Sequence, residues 1–393
     1  MNGRRWDVFC RVVDNYGDAG VAWRLARQLA AEHALDVTLW LDRVATLARI
    51  EPGLDPLARV QRHRGVTLRL LDESAGADDL PEVVVEGFGC GLPERYLEKM
   101  AASAGPPLWF NLEYLSAEPW VDAVHGLASP LPRRSLTRYF WFPGFTCHTG
   151  GLIREAGLFE ARDGYLNEAS AARPRREPVH DAGAGGGGSP DAPGERRDGL
   201  DLVLFCYPNR ALPALFEAWS EGDEAIRCTL PEGVATAALD TWLHGDVPHA
   251  GQSVTHGRLA LRIRPFSTQE AFDRLLWASD LNFVRGEDSF VRAQWAARPF
   301  VWQPYPQDEQ AHVLKLEAFV DRYTAGLPEP ALSALRVFWG AFNAEDGTAT
   351  AAAWPAFRAV FGPLGRHGRA WADRLAELPD LAAGLVEFWH SRL

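Results

Sequence analysis

The sequence predicts an α/β protein of two units, each a largely parallel sheet covered by helices on both faces, followed by a helical tail. Three observations lead there. From Trp6 to Phe142, short apolar runs of strand length alternate with stretches of helical periodicity, the pattern of repeated βαβ units. The same alternation restarts at Leu202, after a stretch almost without large apolar residues. From Ala331 to Leu393 the pattern is helical with no strand. A chain of 393 residues is long enough for two such cores.

Trp6–Val13 (WDVFCRVV) reads as the first strand and Asp14-Asn15-Tyr16-Gly17-Asp18-Ala19-Gly20 as a turn. Val21–Glu32 is then helical, with Val21, Leu25 and Leu29 on one face. Strands are expected at Val37–Leu41, Val66–Leu71, Val83–Glu86, Leu108–Leu112 and Tyr139–Phe142. Near-continuous apolar runs of this kind mark strands buried on both faces. Composition changes near Glu168. Ala169 to Gly199 contains AARPRREP and GAGGGGSPDAPGERRDG, which cannot bury a core and reads as a flexible linker or insertion. The second unit then offers strands at Leu202–Cys206, Ala225–Thr229, Leu259–Ile263, Leu281–Val284 and Pro299–Trp302. Helices are expected at Leu212–Trp219, Val234–Leu243, Gln269–Trp277, from Asp288 or Ser289 as N-cap to about Ala297, and at Glu309–Tyr323. The boundaries drawn are 1–168, 169–199, 200–365 and 366–393, the last segment being a tail able to pack back on the first unit.

Composition excludes several classes. A net charge of -12 speaks against a nucleic-acid binder, which would carry a basic face. The five cysteines are scattered, odd in number and never spaced CxxC, which disfavours a zinc site or disulfide framework and fits a reducing cytoplasm. The eleven histidines form no HxH or HxxxH pair, so no metal is expected. No secretory signal and no membrane-length apolar run are visible.

Two facing α/β units place a ligand cleft between the carboxyl ends of their sheets. The stretches that reach this cleft carry the candidate chemistry. Asp14 and Asp18 sit in the turn after the first strand; a carboxylate on a rigid turn can act as general base, while the plain alternative is an Asx turn and a helix cap. Arg285-Gly286-Glu287-Asp288-Ser289 puts a helix N-terminus at a strand end, a setting that suits an anion, with Arg285 and Arg292 adding charge. The plain alternative is an ordinary capped turn, since neither a P-loop nor GxGxxG is present. Glu287 would repel a diphosphate there and is expected to point to a sugar hydroxyl or an arginine, whereas the Ser289 hydroxyl and first-turn N–H groups can face it. Phe266 with Gln269, and Phe205 with Tyr207, end neighbouring strands on one rim, where an aromatic can stack on a nucleobase or simply pack the core.

Four segments together are similar to a known family: FCRVVDNYGDAGVAWRLARQLA (9–30), LVLFCYPN (202–209), IRPFSTQEAFDRLLWASD (263–280) and LNFVRGEDSFVRAQWAARPFVWQPYPQDEQAH (281–312). They resemble the bacterial arginine rhamnosyltransferases that modify elongation factor P, over nearly the whole chain except the glycine-rich segment. The resemblance implies a GT-B fold of two Rossmann-like domains and an inverting, metal-independent transfer in the cytoplasm without a cofactor. The donor it implies is dTDP-β-L-rhamnose and the acceptor one arginine of elongation factor P, with neither nucleic acid nor membrane involved. It carries catalytic roles to Asp14, Asp18 and Glu287, and donor contacts to Phe205, Tyr207, Phe266, Gln269, Arg285, Asp288 and Ser289, with Phe266 on thymine. Asn15, Tyr16 and Gly17, between the two aspartates, complete the expected substrate-binding set. Of the aspartates, Asp18 is expected to be the base, lying nearest the helix start. The alternatives are a GT-B transferase with another donor or acceptor, and a non-catalytic nucleotide- or elongation-factor-binding module.

Overall fold

The computed structural model describes residues 4–14, 16–72, 75–76, 79–171, 199–307 and 310–393. The glycine-rich stretch expected to be a linker lies, from residue 172 to 198, outside them. The first sheet holds β1 (Arg5–Cys10), β2 (Asp36–Leu41), β3 (Val60–His63), β4 (Val66–Leu70), β5 (Val83–Gly87), β6 (Leu108–Leu112), β7 (Ala128–Leu131) and β8 (Leu136–Trp141). The second holds β9 (Leu200–Leu204), β10 (Ile226–Pro231), β11 (Ser253–His256), β12 (Leu259–Arg264), β13 (Leu281–Arg285) and β14 (Phe300–Gln303).

The strand orders are β3-β4-β2-β1-β5-β6-β8-β7 and β11-β12-β10-β9-β13-β14. In each sheet the first strand lies centrally, paired in parallel on both sides: β1 with β2 and β5, β9 with β10 and β13. That position explains why β1 is apolar but for Asp7, since Trp6 to Cys10 are all buried and Asp7 accepts from Tyr96 Oη and Trp40 Nε1. Three of the four edges are antiparallel: β3 pairs β4, β7 pairs β8 and β11 pairs β12, whereas β14 runs parallel to β13. These three edge strands are half exposed and polar (VQRH, ASPL, SVTH), so they carry no apolar signal, and sequence reasoning did not anticipate them.

Two large cores follow from the two sheets. Trp6, Val8, Leu25, Leu29 and Leu39 belong to the first, and Leu202, Leu204, Phe283, Phe290 and Val301 to the second. The chain crosses between them twice. Leu152 and Leu158 already pack with the second core, and the helix Leu158–Ala171 lies against that unit. The tail forms helices at Ala331–Asn343, Gly347–Ala359, Phe361–Ala376 and Leu381–His390. The boundary drawn at 365/366 falls inside the third of these, whose Leu364, Trp371 and Leu375 pack with the second core. The last helix returns to the first: Leu381, Leu385 and Trp389 join its core, and Trp389 meets Trp6 edge-on at 5.5 Å. Among the described residues no helix is long and apolar enough to cross a membrane.

Candidate active site

The site forms where the carboxyl ends of β1, β9, β12 and β13 meet. After β1, the backbone N–H of Gly17 donates to Asp14 O (2.7 Å) and closes a tight turn, and the helix Tyr16–Glu32 begins at once. Asp18 stands inside the first turn of this helix, earlier than expected. Its Oδ2 accepts from the backbone N–H of both Val13 and Asp14, each at 2.8 Å. Asp18 therefore clamps the preceding loop instead of capping the helix, and the two bonds hold its Oδ2 in place. Asp14 Oδ2 accepts from Tyr207 Oη of the second unit at 2.6 Å, joining the two units across the cleft. Two glycines make room for it. A Cβ at Gly17 or at Gly286 would lie 2.4 Å from Asp14 Oδ2, and Gly286 also has a φ of +57°. Asn15 lies outside the described residues.

Asp14 stands between two cavities. One spans about 590 Å³ with its open mouth included and is walled by Tyr16, Gly17, Phe205, Phe266, Gln269, Arg285, Asp288 and Ser289. Phe266 lies 4.6 Å from Tyr16, centroid to centroid, with the Arg49 guanidinium 4.9 Å from the Phe266 ring. The Arg285 guanidinium lies over Phe205 at 4.5 Å and Tyr207 at 4.7 Å, so an aromatic pair holds a cation at the cavity wall. Gln269 Nε2 donates to Gly20 O and Asp288 Oδ2, both at 3.2 Å, while its Oε1 is buried without a hydrogen-bond partner. Such an atom is costly unless a ligand N–H or O–H reaches it. The Ser289 hydroxyl is committed locally, donating to Arg285 O at 2.6 Å and accepting from Arg285 N at 3.1 Å.

The helix Asp288–Ala296 starts at this cavity, but its N-cap is Glu287, not Asp288 or Ser289, and no side chain caps it. Its first-turn N–H groups thus meet no side-chain acceptor from the cap residue. Glu287 turns away from this cavity and lines the second one. That groove of about 1110 Å³ also holds Val13, Tyr114, Trp302, Tyr305 and Lys315. The partner of Glu287 is a lysine where an arginine was one expectation: Lys315 Nζ lies 3.6 Å from Glu287 Oε1.

Burial makes these carboxylates unusually basic. The Asp14 carboxyl is pushed up to about 6 by burial, helped by Asp18 and opposed by the Tyr207 hydrogen bond and Arg285. Glu287 rises to about 7, again by burial, with Asp18 and Asp14 adding and Lys315 and the Leu115 N–H opposing. Asp18 is raised too, by burial, against its two backbone hydrogen bonds. Three desolvated carboxylates that act on one another are a usual setting for general-base chemistry.

Sequence reasoning missed what holds the units together. Arg24, fully buried, donates from Nε to Asp288 Oδ1 (2.7 Å), from Nη1 to Glu155 (3.2 Å) and from Nη2 to Asp273 (3.1 Å). Arg292 also grips Asp273, at 3.0 and 2.7 Å, and Glu155 at 2.5 Å. Arg292 was expected to add charge for an anion; it is instead buried at 3% exposure and neutralised by these two carboxylates. Nothing local marks Arg24, because its partners lie 131 to 264 residues away. Among the described residues no three His, Cys, Asp or Glu side chains group as metal ligands.

Two Rossmann-like units facing each other across such a cleft define the GT-B fold. A transferase from Siraitia grosvenorii solved with UDP shares this fold at a TM-score of 0.50 and 9% identity, with 98% of this chain and 99% of that one covered. Residues 6–390 match the family model described as "Elongation-Factor P (EF-P) rhamnosyltransferase EarP", and the chain belongs to that family. It is 45% identical to the protein-arginine rhamnosyltransferase of Pseudomonas putida over 388 residues, and 44% identical to that of Pseudomonas aeruginosa over 385, covering 98–99% of each chain. A solved structure described as the "Structural basis for EarP-mediated arginine glycosylation of translation elongation factor EF-P" matches with a TM-score of 0.65 at 33% identity over 99% of both chains. The protein is a glycosyltransferase.

Proposed function

We propose that this enzyme transfers L-rhamnose from dTDP-β-L-rhamnose to an arginine side chain of elongation factor P, with inversion at the anomeric carbon and without a metal. The observation that carries the reading is the position of Asp14, bonded to Tyr207 across the cleft, on the wall shared by two cavities. One cavity has the means to hold a nucleotide diphosphate: the Phe266–Tyr16 aromatic pair, the unpartnered Gln269 Oε1, the Arg285 guanidinium and the start of the helix Asp288–Ala296. The other offers carboxylates to a cation. The names of the relatives support the transferred sugar and the arginine acceptor of this reading.

An arginine is a poor nucleophile, since its guanidinium is protonated and its lone pair delocalised. Carboxylates that hold the guanidinium by charge-assisted bonds can orient one nitrogen and accept its proton as attack begins. In the proposed step this nitrogen bonds to C1 of the sugar and the C1–O bond to the diphosphate breaks, as C1 gains oxocarbenium character. The electron pair leaves with dTDP, stabilised by Arg285 and the helix N-terminus. The proton goes to Asp18, whose Oδ2 is held by the Val13 and Asp14 N–H groups. Asp14 and Glu287 align the acceptor from the two units.

The test is intact-mass measurement of elongation factor P after incubation with enzyme and dTDP-β-L-rhamnose. A gain of one deoxyhexose, lost when the acceptor arginine is replaced by lysine, is the expected result. Tight binding without a mass change, or transfer only from a different nucleotide sugar, would refute the reading.

A further inference from the structure

The groove beyond Asp14 already contains a cation. Lys315, on the helix Ala311–Tyr323, places Nζ 3.6 Å from Glu287 Oε1 and 5.3 Å from the centre of the Tyr114 ring. The three side chains come from three places: Tyr114 from the loop after β6, Glu287 from the turn after β13, and Lys315 from a helix of the second unit. Lys315 and Glu287 are each 15% exposed, so the pair is largely shielded and does not stand on open surface. Among the described residues lining this groove, Lys315 is the one cation against Asp14 and Glu287.

We propose that Lys315 is the resident counter-ion of the acceptor groove: in the free enzyme it occupies the position between Glu287 and the Tyr114 ring that the acceptor guanidinium takes on binding. This rests on the arginine-transfer reading above. The geometry is that of a replaceable ion. At 3.6 Å the ammonium is beyond hydrogen-bond distance of the carboxylate, so the contact is electrostatic and no directional bond has to be broken. An ammonium on a flexible four-carbon stem can swing into the wide groove at little cost, whereas a guanidinium presents a planar fork that fits a carboxylate edge and a face that stacks on an aromatic ring. Glu287 and Tyr114 therefore offer more to an arginine than to the lysine between them. The lysine prevents the opposite problem, because a largely buried carboxylate with no cation nearby is costly. Burial raises Glu287, and Lys315 is the largest influence opposing it, which agrees with this assignment.

The test uses the full-length enzyme, elongation factor P and saturating dTDP-β-L-rhamnose. KM for the acceptor protein and inhibition by L-arginine amide are measured for the wild type, Lys315→Met and Lys315→Arg. Methionine keeps the stem and removes the competitor, so acceptor KM and the arginine-amide inhibition constant should both fall about two- to fivefold, the range expected for removal of a weak ion pair. Arginine makes a better resident ion, so both constants should rise. Donor KM should not move in either variant, which a general loss of structure would not spare. If Lys315→Met raises acceptor KM, or both variants leave it unchanged, or the change falls on donor KM, the proposal is wrong. If the wild type adds no sugar to the acceptor, the proposed function and this inference fall together; if it does and the variants do not diverge, this inference alone fails.

Discussion

Replacing Glu287 by glutamine should make the free enzyme more stable and much less active. The carboxylate is 15% exposed and is raised from 4.5 to about 7, first by burial and then by Asp18 and Asp14, against Lys315 and the Leu115 N–H. Its folded value thus lies above its unfolded one. Between pH 4.5 and about 7 the folded state binds more protons than the unfolded state, so this group's contribution to stability declines as pH rises through that window. At about 1.36 kcal/mol per pH unit, the full penalty above pH 7 is about 3 kcal/mol. Glutamine carries no charge and keeps an oxygen for the Leu115 N–H, so most of this is recovered. With unfolding entropy of about 2.1 cal/mol/K per residue, a chain of this length melting as one unit gains about 3–4 °C in Tm. Scanning calorimetry at pH 8 and pH 4.5 reads the effect, with a gain expected at pH 8 that shrinks towards zero at pH 4.5. No gain at pH 8, or an equal gain at both, would refute the reasoning, because a pH-independent change reports packing and not ionisation. The rate of transfer in the same variant should fall by about 10²-fold, as for loss of a positioned carboxylate.

Other substitutions test the remaining parts of the site. Asp18→Asn and Asp14→Asn should each lower single-turnover transfer by about 10²-fold or more while dTDP affinity persists, since the donor cavity is mostly built by the second unit; normal turnover in Asp18→Asn would remove it as the base. Phe266→Ala and Arg285→Ala should weaken dTDP binding in titration calorimetry, by about 1–3 kcal/mol where a stacked base is lost; unchanged affinity in both would move the nucleotide off this rim. Arg24→Gln removes one partner of buried Asp273 and half-buried Asp288 and should cost about 3–5 kcal/mol in denaturant unfolding, with weaker dTDP binding through Asp288; an unchanged midpoint would show that the charge network does not hold the units together. With Asp14 raised to about 6 and Glu287 to about 7, the rate should climb as pH rises through 6–7, and EDTA should leave it unchanged.

Much of this architecture is legible in the sequence because the central strands are buried on both faces. β1, β9 and β13 announce themselves as apolar runs, and the turns that follow them carry the polar residues that end up facing one another. The edge strands β3, β7 and β11 are invisible for the opposite reason, since half-exposed strands carry whatever residues solvent tolerates. Within the site, residue type and strand-end position suffice to bring forward Asp14, Phe266 and Arg285. They do not reveal that Asp18 spends Oδ2 on the loop, that Ser289 is bonded to Arg285, or that Arg292 is neutralised by Asp273 and Glu155. Arg24, Tyr114 and Lys315 went unread altogether. Each has its role through a partner far along the chain, and no local pattern records such a pairing.

The central claim is a direct displacement in which a nitrogen of the acceptor attacks from one cavity while the diphosphate leaves into the other. The anomeric configuration of the product tests it most directly. Elongation factor P modified by this enzyme with dTDP-β-L-rhamnose should show, by NMR of the purified protein, a single α-L-rhamnosyl group on an arginine nitrogen. A β-linked product would require a second displacement or front-face attack and would contradict the arrangement of donor cavity, Asp14 and acceptor groove argued from this structure.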